Sequence, residues 1–380
     1  MKKRIIAGLL ASTLAVSTGV MGCSQKSEVS DVIQLGATFT LTGNLSASGE
    51  YCQQGLELFL EDVEKMDVLG KKVEVVVEDC GSDQQGSINA TNKLLARENI
   101  SAWFGCGNTS ADALASAPSI LESEVPCFVF GSSANIYKEN NPYMLLNRMS
   151  DDHAGALFAK SVAEILKMKN PAIIHVSEAY GTSLSSEIIT NLKTYGITPA
   201  IVVSYNVDEK QFTPILTQVL NSGCDGIIAV SHNFDAAVLA KTVQSMNIDL
   251  PLIGSASYCS VISIDAAGDA MDGWYSIGDW SPNAINEKGA EFSARFQERF
   301  GTKPDKAAVI TYDSLMLMCE AIKLQGASDP ASVLEGIKKI KDYDGVMCKY
   351  TWHEDRSLAN SQPLVRVENG EVEVIEIVNR

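Results

Sequence analysis

The sequence predicts an α/β protein made of two doubly wound lobes, each a parallel sheet with helices on both faces. Three observations predict it. Short apolar runs rich in β-branched and aromatic residues alternate with longer amphipathic runs, which is the strand–helix rhythm of parallel sheets. The short runs lack period-two alternation, as strands buried on both faces do. The chain, at 380 residues, is too long for one sheet around one core and suits two lobes.

Taken in order, apolar runs predict strands at 32–39, 73–77, 103–104, 128–130, 173–176, 201–203, 227–230 and 252–253. Amphipathic stretches between them predict helices at 55–63, 88–96, 156–168, 184–192 and 236–246. In the last, Ala236, Ala237, Leu239, Ala240, Val243 and Met246 fall at helical spacing. Breaks near 147–151 and 273–279 interrupt the alternation. The tail reads differently, with a turn at Asp344-Gly345, a strand at 350–352 and a hairpin. Asn369-Gly370 between the apolar runs 364–367 and 372–377 is a strong hairpin signal.

Residues 1–22 are expected to be a cleaved leader. Lys2, Lys3 and Arg4 precede an apolar stretch that ends at Val20-Met21-Gly22-Cys23, the pattern of a secretory signal. The ending resembles a bacterial lipobox, in which the cysteine becomes diacylated and heads the mature chain. Polar residues after Cys23 suit a tether over 23–31. A single transmembrane anchor is the plainer alternative, but the stretch is short for a span. Loss of the leader removes three positive charges and no acidic one, so the net charge goes from −17 to −20. Such acidity argues against nucleic acid or an anionic membrane surface as partner. Eight cysteines lie beyond Cys23, an even count that allows disulfides in an exported protein. No Cys-x-x-Cys occurs, and His153, His175, His232 and His353 show no metal-ligand spacing. No Walker A sequence and no Gly-x-Ser-x-Gly is present. The chain is therefore expected to be no enzyme and to need no cofactor.

Six segments in order carry a resemblance to a known family. They are Thr40-Leu41-Thr42-Gly43 with Gly49 and Gly55; the stretch 68–95; the run 125–133 ending Gly131-Ser132-Ser133; Ala179-Tyr180-Gly181; Thr311-Tyr312-Asp313-Ser314; and Tyr343-Asp344-Gly345 through Gly370. Together they resemble the type I periplasmic binding proteins of the branched-chain amino acid class, which serve ABC importers. The resemblance covers nearly the whole chain after the leader. It implies two α/β lobes joined by three crossovers, with the first lobe at 32–147 and 276–355 and the second at 148–275 and 356–380. It implies a small-molecule ligand between the lobes, hinge closure, and ABC permease and ATPase subunits as partners. The protein is expected outside the cytoplasm, as a monomer that meets the membrane through its lipid anchor only. A sensor lipoprotein informing a membrane partner is the alternative.

The loop Gly105-Cys106-Gly107-Asn108-Thr109-Ser110 runs from a strand into a helix, where glycines permit close approach and free N–H groups favour an anion. The resemblance makes Asn108, Thr109 and Ser110 candidates for a ligand carboxylate, with Ser132 and Ser133 as the second half of the site and Ser48 as a wall. Tyr180, His232 and Ser257 are the candidates from the other lobe. An ordinary helix cap and a solvated turn are the alternatives. These loops offer donors and no cation, which suits a single anionic or polar group. The loop Ser255-Ala256-Ser257-Tyr258 departs from the family by lacking the acidic residue that meets an ammonium. Glu178 or Asp235 would have to substitute, or the ligand lacks that group. A Cys80–Cys106 disulfide is expected, since both follow neighbouring strands and some family members have a bridge at a similar place. A first prediction concerns the leader: Cys23→Ser should block acylation and leave a heavier precursor on mass spectrometry. Cleavage elsewhere without lipid would overturn the lipobox reading.

Overall fold

A computed structural model describes residues 31–138, 140–207, 209–281, 286–352, 358 and 362–378. The leader, Cys23 and His353 lie outside them. The first block runs β1 (Val32–Phe39), α1 (Ser46–Val63), β2 (Lys72–Asp79), α2 (Gln84–Leu95), β3 (Ile100–Gly105) and α3 (Ser110–Ser123). It closes with β4 (Cys127–Val129), α4 (Asn135–Lys138) and β5 (Met144–Leu145). The second block runs α5 (Asp151–Lys160), β6 (Ala172–Val176), α6 (Ala179–Leu192), β7 (Ile201–Tyr205), α7 (Thr213–Asn221) and β8 (Ile227–Val230). It continues with α8 (Asn233–Ser245), β9 (Leu252–Gly254), α9 (Val261–Ala267) and β10 (Tyr275–Ile277). Then come α10 (Glu287–Phe300), α11 (Lys306–Gln325), α12 (Pro330–Lys339), β11 (Tyr343–Asp344), β12 (Lys349–Tyr350), β13 (Gln362–Glu368) and β14 (Glu371–Val378).

The strands form two large sheets. The first has the order β2-β1-β3-β4-β5, and its pairs are parallel. The second has the order β14-β13-β10-β9-β8-β6-β7, parallel except where the C-terminal hairpin β13–β14 joins antiparallel to β10. The chain thus passes between the sheets three times, before α5, after β10 and before β13. The break expected at 273–279 contains β10. Ser276 and Ile277, placed with the first lobe above, pair within the second sheet.

Each sheet is buried on both faces because successive side chains point opposite ways. In β3, Ala102 and Phe104 enter the core shared with α1, α11 and α12, while Trp103 enters the core beneath α2 and α3. In β8, Ile227 and Ala229 face one core and Ile228 and Val230 the other. This two-sided burial is why the strands read as continuous apolar runs.

Helix α11 begins at Lys306, with Asp305 as its cap accepting from the Ala307 amide at 3.0 Å. The segment 311–314 therefore lies inside this helix rather than at its start. Buried Asp313 accepts from the amides of Val346 and Met347 (2.9 and 2.8 Å) and from the Tyr350 hydroxyl (2.9 Å), and so pins the β11–β12 turn to α11. Helix α1 crosses α11 at Gly55, where a β-carbon would lie 2.3 Å from the Ala308 carbonyl oxygen. Backbone cannot yield as a flexible side chain can. Gly55→Ala should therefore lower stability by about 1–3 kcal/mol, read as a shifted denaturant midpoint with an unchanged slope. An unshifted midpoint would show that the helices separate freely there.

Candidate functional site

In the first sheet the strand order reverses between β1 and β3, and in the second between β6 and β8. Open α/β sheets bind ligands beyond the carboxyl ends of the strands at such a reversal. The loops after β1, β3 and β4 and those after β6, β8 and β9 enclose one cavity of about 230 Å³. That is the share of roughly eight liquid waters.

The loop after β3 owes its shape to Gly105, Cys106 and Gly107, all with positive φ. A β-carbon on Gly107 would lie 2.4 Å from that of Asp112, so only glycine fits. Cys106 is held in this uncommon conformation by its amide, which donates to Thr38 Oγ1 at 2.9 Å. A capping box then starts α3. Thr109 Oγ1 accepts from the Asp112 amide (3.1 Å), and Asp112 Oδ2 accepts from the amides of Asn108 (3.2 Å) and Thr109 (3.1 Å). Three amide donors at the helix start are thus taken internally. Ser110 Oγ accepts from the amides of Ser132 (3.1 Å) and Ser133 (3.0 Å), tying the β4 loop to the start of α3. The Ser48 hydroxyl donates to Asn108 Oδ1 at 3.3 Å and fixes the amide group of that side chain.

The opposite wall comes from the second lobe. Tyr180 and His232 pack ring to ring, with centroids 5.5 Å apart. His232 Nε2 lies 3.2 Å from Glu178 Oε1, which also accepts from the Gly181 amide at 3.3 Å as the cap of α6. Burial pushes the Glu178 carboxyl up, but His232 and the Tyr180 and Gly181 amides outweigh it and hold the group below the ordinary range. Burial raises the Tyr180 phenol and keeps it neutral.

Of the residues singled out in the sequence, Ser48, Asn108, Thr109, Ser110, Ser132, Tyr180, His232 and Ser257 line the cavity. Ser133 does not: it is fully buried beneath Ser132, and its Oγ accepts from the Asn135 amide at 3.4 Å. Glu178 and Asp235 do not line it either. Glu178 is turned to His232, and Asp235 is buried, accepting from the Tyr205 hydroxyl at 3.5 Å. The expectation of donors without a cation is corrected by Arg148 and Lys306, which also line the cavity. Arg148 stands on the first crossover and pairs with Asp279 on the second, its Nε 3.3 Å from Oδ1, and Nη1 donates to the Phe130 carbonyl at 3.3 Å. Lys306 is the first residue of α11. Neither lies in a loop where a sheet reversal draws attention. The one signal in sequence for Lys306 was its place after Asp305, a helix-start residue.

The expected disulfide is also corrected. Cys80 and Cys106 are free thiols, as are the other described cysteines. Cys106 Sγ lies in the core under α3, 3.5 Å from Cys127 Sγ on the next strand.

The comparisons with known proteins agree with this geometry. The chain matches the family model described as periplasmic binding protein over residues 32–371 and belongs to that family. It is 21% identical over 370 residues to the leucine-, isoleucine-, valine-, threonine- and alanine-binding protein of Pseudomonas aeruginosa, covering 90% of this chain and 96% of that one. The leucine binding protein LivK of Thermotoga maritima superposes with a TM-score of 0.84 at 22% identity, over 91% of this chain and 99% of that one. A solute binding protein of an ABC transporter from Rhodopseudomonas palustris, in complex with 3,4-dihydroxybenzoic acid, gives a TM-score of 0.83 at 20% identity, over 92% and 97%.

Behind Ser132 lies Asp151, the first residue of α5, whose amide donates to the Ser132 carbonyl at 2.8 Å. Burial raises its carboxyl to about 7 against the hydrogen bonds of Ser183 and Ser132. The sign follows from linkage: a folded pKa above the unfolded value of 3.8 favours the fold while the group is protonated. That contribution is complete below about pH 4 and is lost as pH rises through about 7. The stability of Asp151→Asn should therefore gain on the wild type between those values, by about 1.4 kcal/mol per pH unit at most, and the gap should level off above. Denaturant titrations across that range read it, and a gap independent of pH would refute the assignment.

Proposed function

We propose that this chain is the extracytoplasmic solute-capturing component of an ABC importer, tethered by acyl chains at Cys23. It holds a small carboxylate-bearing solute, such as an amino acid or its analogue, between its lobes. The observation that carries the reading is the cavity enclosed by two facing strand reversals, with hydroxyls and a helix start on one side and an aromatic wall on the other. Family membership and the names of its relatives support it.

The capture step needs no covalent chemistry. A carboxylate at the start of α3 meets the remaining N–H groups of the first turn and the hydroxyls of Ser110 and Ser132, where the helix end favours negative charge. Tyr180 and His232 cover the body of the solute from the second lobe. Contacts to both lobes stabilise the closed form by differential binding, and the permease would recognise that form. The net charge of −20 after loss of the leader keeps the domain from anionic membrane surfaces and nucleic acid.

A thermal-shift screen against amino acids, amides and small carboxylates, followed by calorimetry, tests the reading. Binding of a small carboxylate should weaken on the order of tenfold or more in Ser110→Ala, because one charge-assisted hydrogen bond and the anchor of the 132–133 loop are lost together. Affinity unchanged in that variant would remove the proposed carboxylate site.

A further inference from the structure

We propose that the solute is an organic acid without an ammonium group, and that Lys306 selects it. This inference rests on the solute-binding reading and names its substrate class. The cavity wall carries two cationic side chains, Arg148 and Lys306, and no aspartate or glutamate among the described residues. Arg148 already has its counter-ion in Asp279. Lys306 makes no ion pair among the described residues. The two carboxylates whose charge reaches it are engaged elsewhere. Asp279 is bonded to Arg148 and accepts from Gln362 Nε2 at 3.2 Å. Asp305 accepts from the Ser260 hydroxyl at 2.6 Å and from the Ala307 amide at 3.0 Å. Lys306 is thus a lysine on the cavity wall that no carboxylate pairs directly among the described residues.

The carboxylates behind the wall point the same way. Asp112 is spent on the α3 capping box, Asp235 is buried with Tyr205, Glu178 faces His232, and Asp151, behind Ser132, is hydrogen-bonded to Ser183 and Ser132. A zwitterion would set its ammonium in one small cavity with Lys306 and find no carboxylate on the wall, and a desolvated charge without a partner is strongly disfavoured. An acid lacking the ammonium presents Lys306 with a net negative charge, which a zwitterion's own ammonium offsets. The rest of the wall suits the body of such an acid, since Phe130, Tyr180, Phe234 and Ile262 offer apolar surface. The lysine ammonium, with three rotatable donors on a flexible stem, serves as a point charge for a carboxylate in more than one pose.

Calorimetry on the purified protein with matched pairs tests this, using leucine against 4-methylpentanoate and phenylalanine against 3-phenylpropanoate. The acid of a pair should bind on the order of tenfold or more tightly than its amino acid. Lys306→Met should weaken the acid by on the order of 10- to 100-fold and spare the amino acid, while Lys306→Arg should keep most of the affinity. Should the methionine variant fail to fold, Lys306→Gln and the wild-type pairs decide. Amino acids binding more tightly than their acids would overturn the inference and leave the solute-binding reading standing, as would tight leucine binding abolished by Glu178→Gln. Failure of both classes to bind would overturn both.

Discussion

In each sheet the strand order reverses once, beside β1 in the first and beside β6 in the second. Connections leave such a point toward opposite faces, so nothing covers the carboxyl ends of the two strands. Here the two uncovered ends face each other. The position of the cavity follows from that topology before any side chain is chosen, and most of its lining comes from loops at the carboxyl ends of the strands at and beside the reversals. The two-sided burial of each sheet serves the same arrangement, because it holds the strand ends on rigid platforms.

Much of the polar chemistry near the cavity is internal. The capping box at Thr109 and Asp112 satisfies three amides, and Ser110 Oγ satisfies the two amides of the neighbouring loop. These bonds hold the loops in place and also decide which donors remain for a guest. A residue type suited to binding an anion is therefore not the same as a free donor. Ser133 shows the difference, being a serine of the right loop that lies wholly beneath its neighbour.

Charge is divided in the same way. Arg148 and Asp279 neutralise each other where two crossovers meet, and Glu178 is turned to His232. The Arg148–Asp279 pair is buried and bonded on several sides, so removing either partner would leave an uncompensated charge in the interior. Lys306 differs because it lines the cavity and makes no direct ion pair among the described residues.

The sequence by itself determined the class of fold and the strand–helix order of much of the chain up to about residue 254, because apolar periodicity records burial locally. Strands at 32–39 and 227–230 and the Asn369-Gly370 hairpin were legible since neighbouring residues alone dictate them. The loop at 105–110 was legible as a strand-to-helix junction, and that at 131–133 as a loop after a strand. Tertiary structure decided the rest. The free thiols of Cys80 and Cys106 depend on how the loops after β2 and β3 place them, with Cys106 against Cys127. Arg148 and Lys306 reach the cavity from a crossover and from a helix start more than 150 residues apart in sequence. Which carboxylates were spent, and which cation was left without one, depends on distances between segments remote in the chain. No local pattern records such distances, since a side chain's charge is fixed by its type and its counter-ion by the fold.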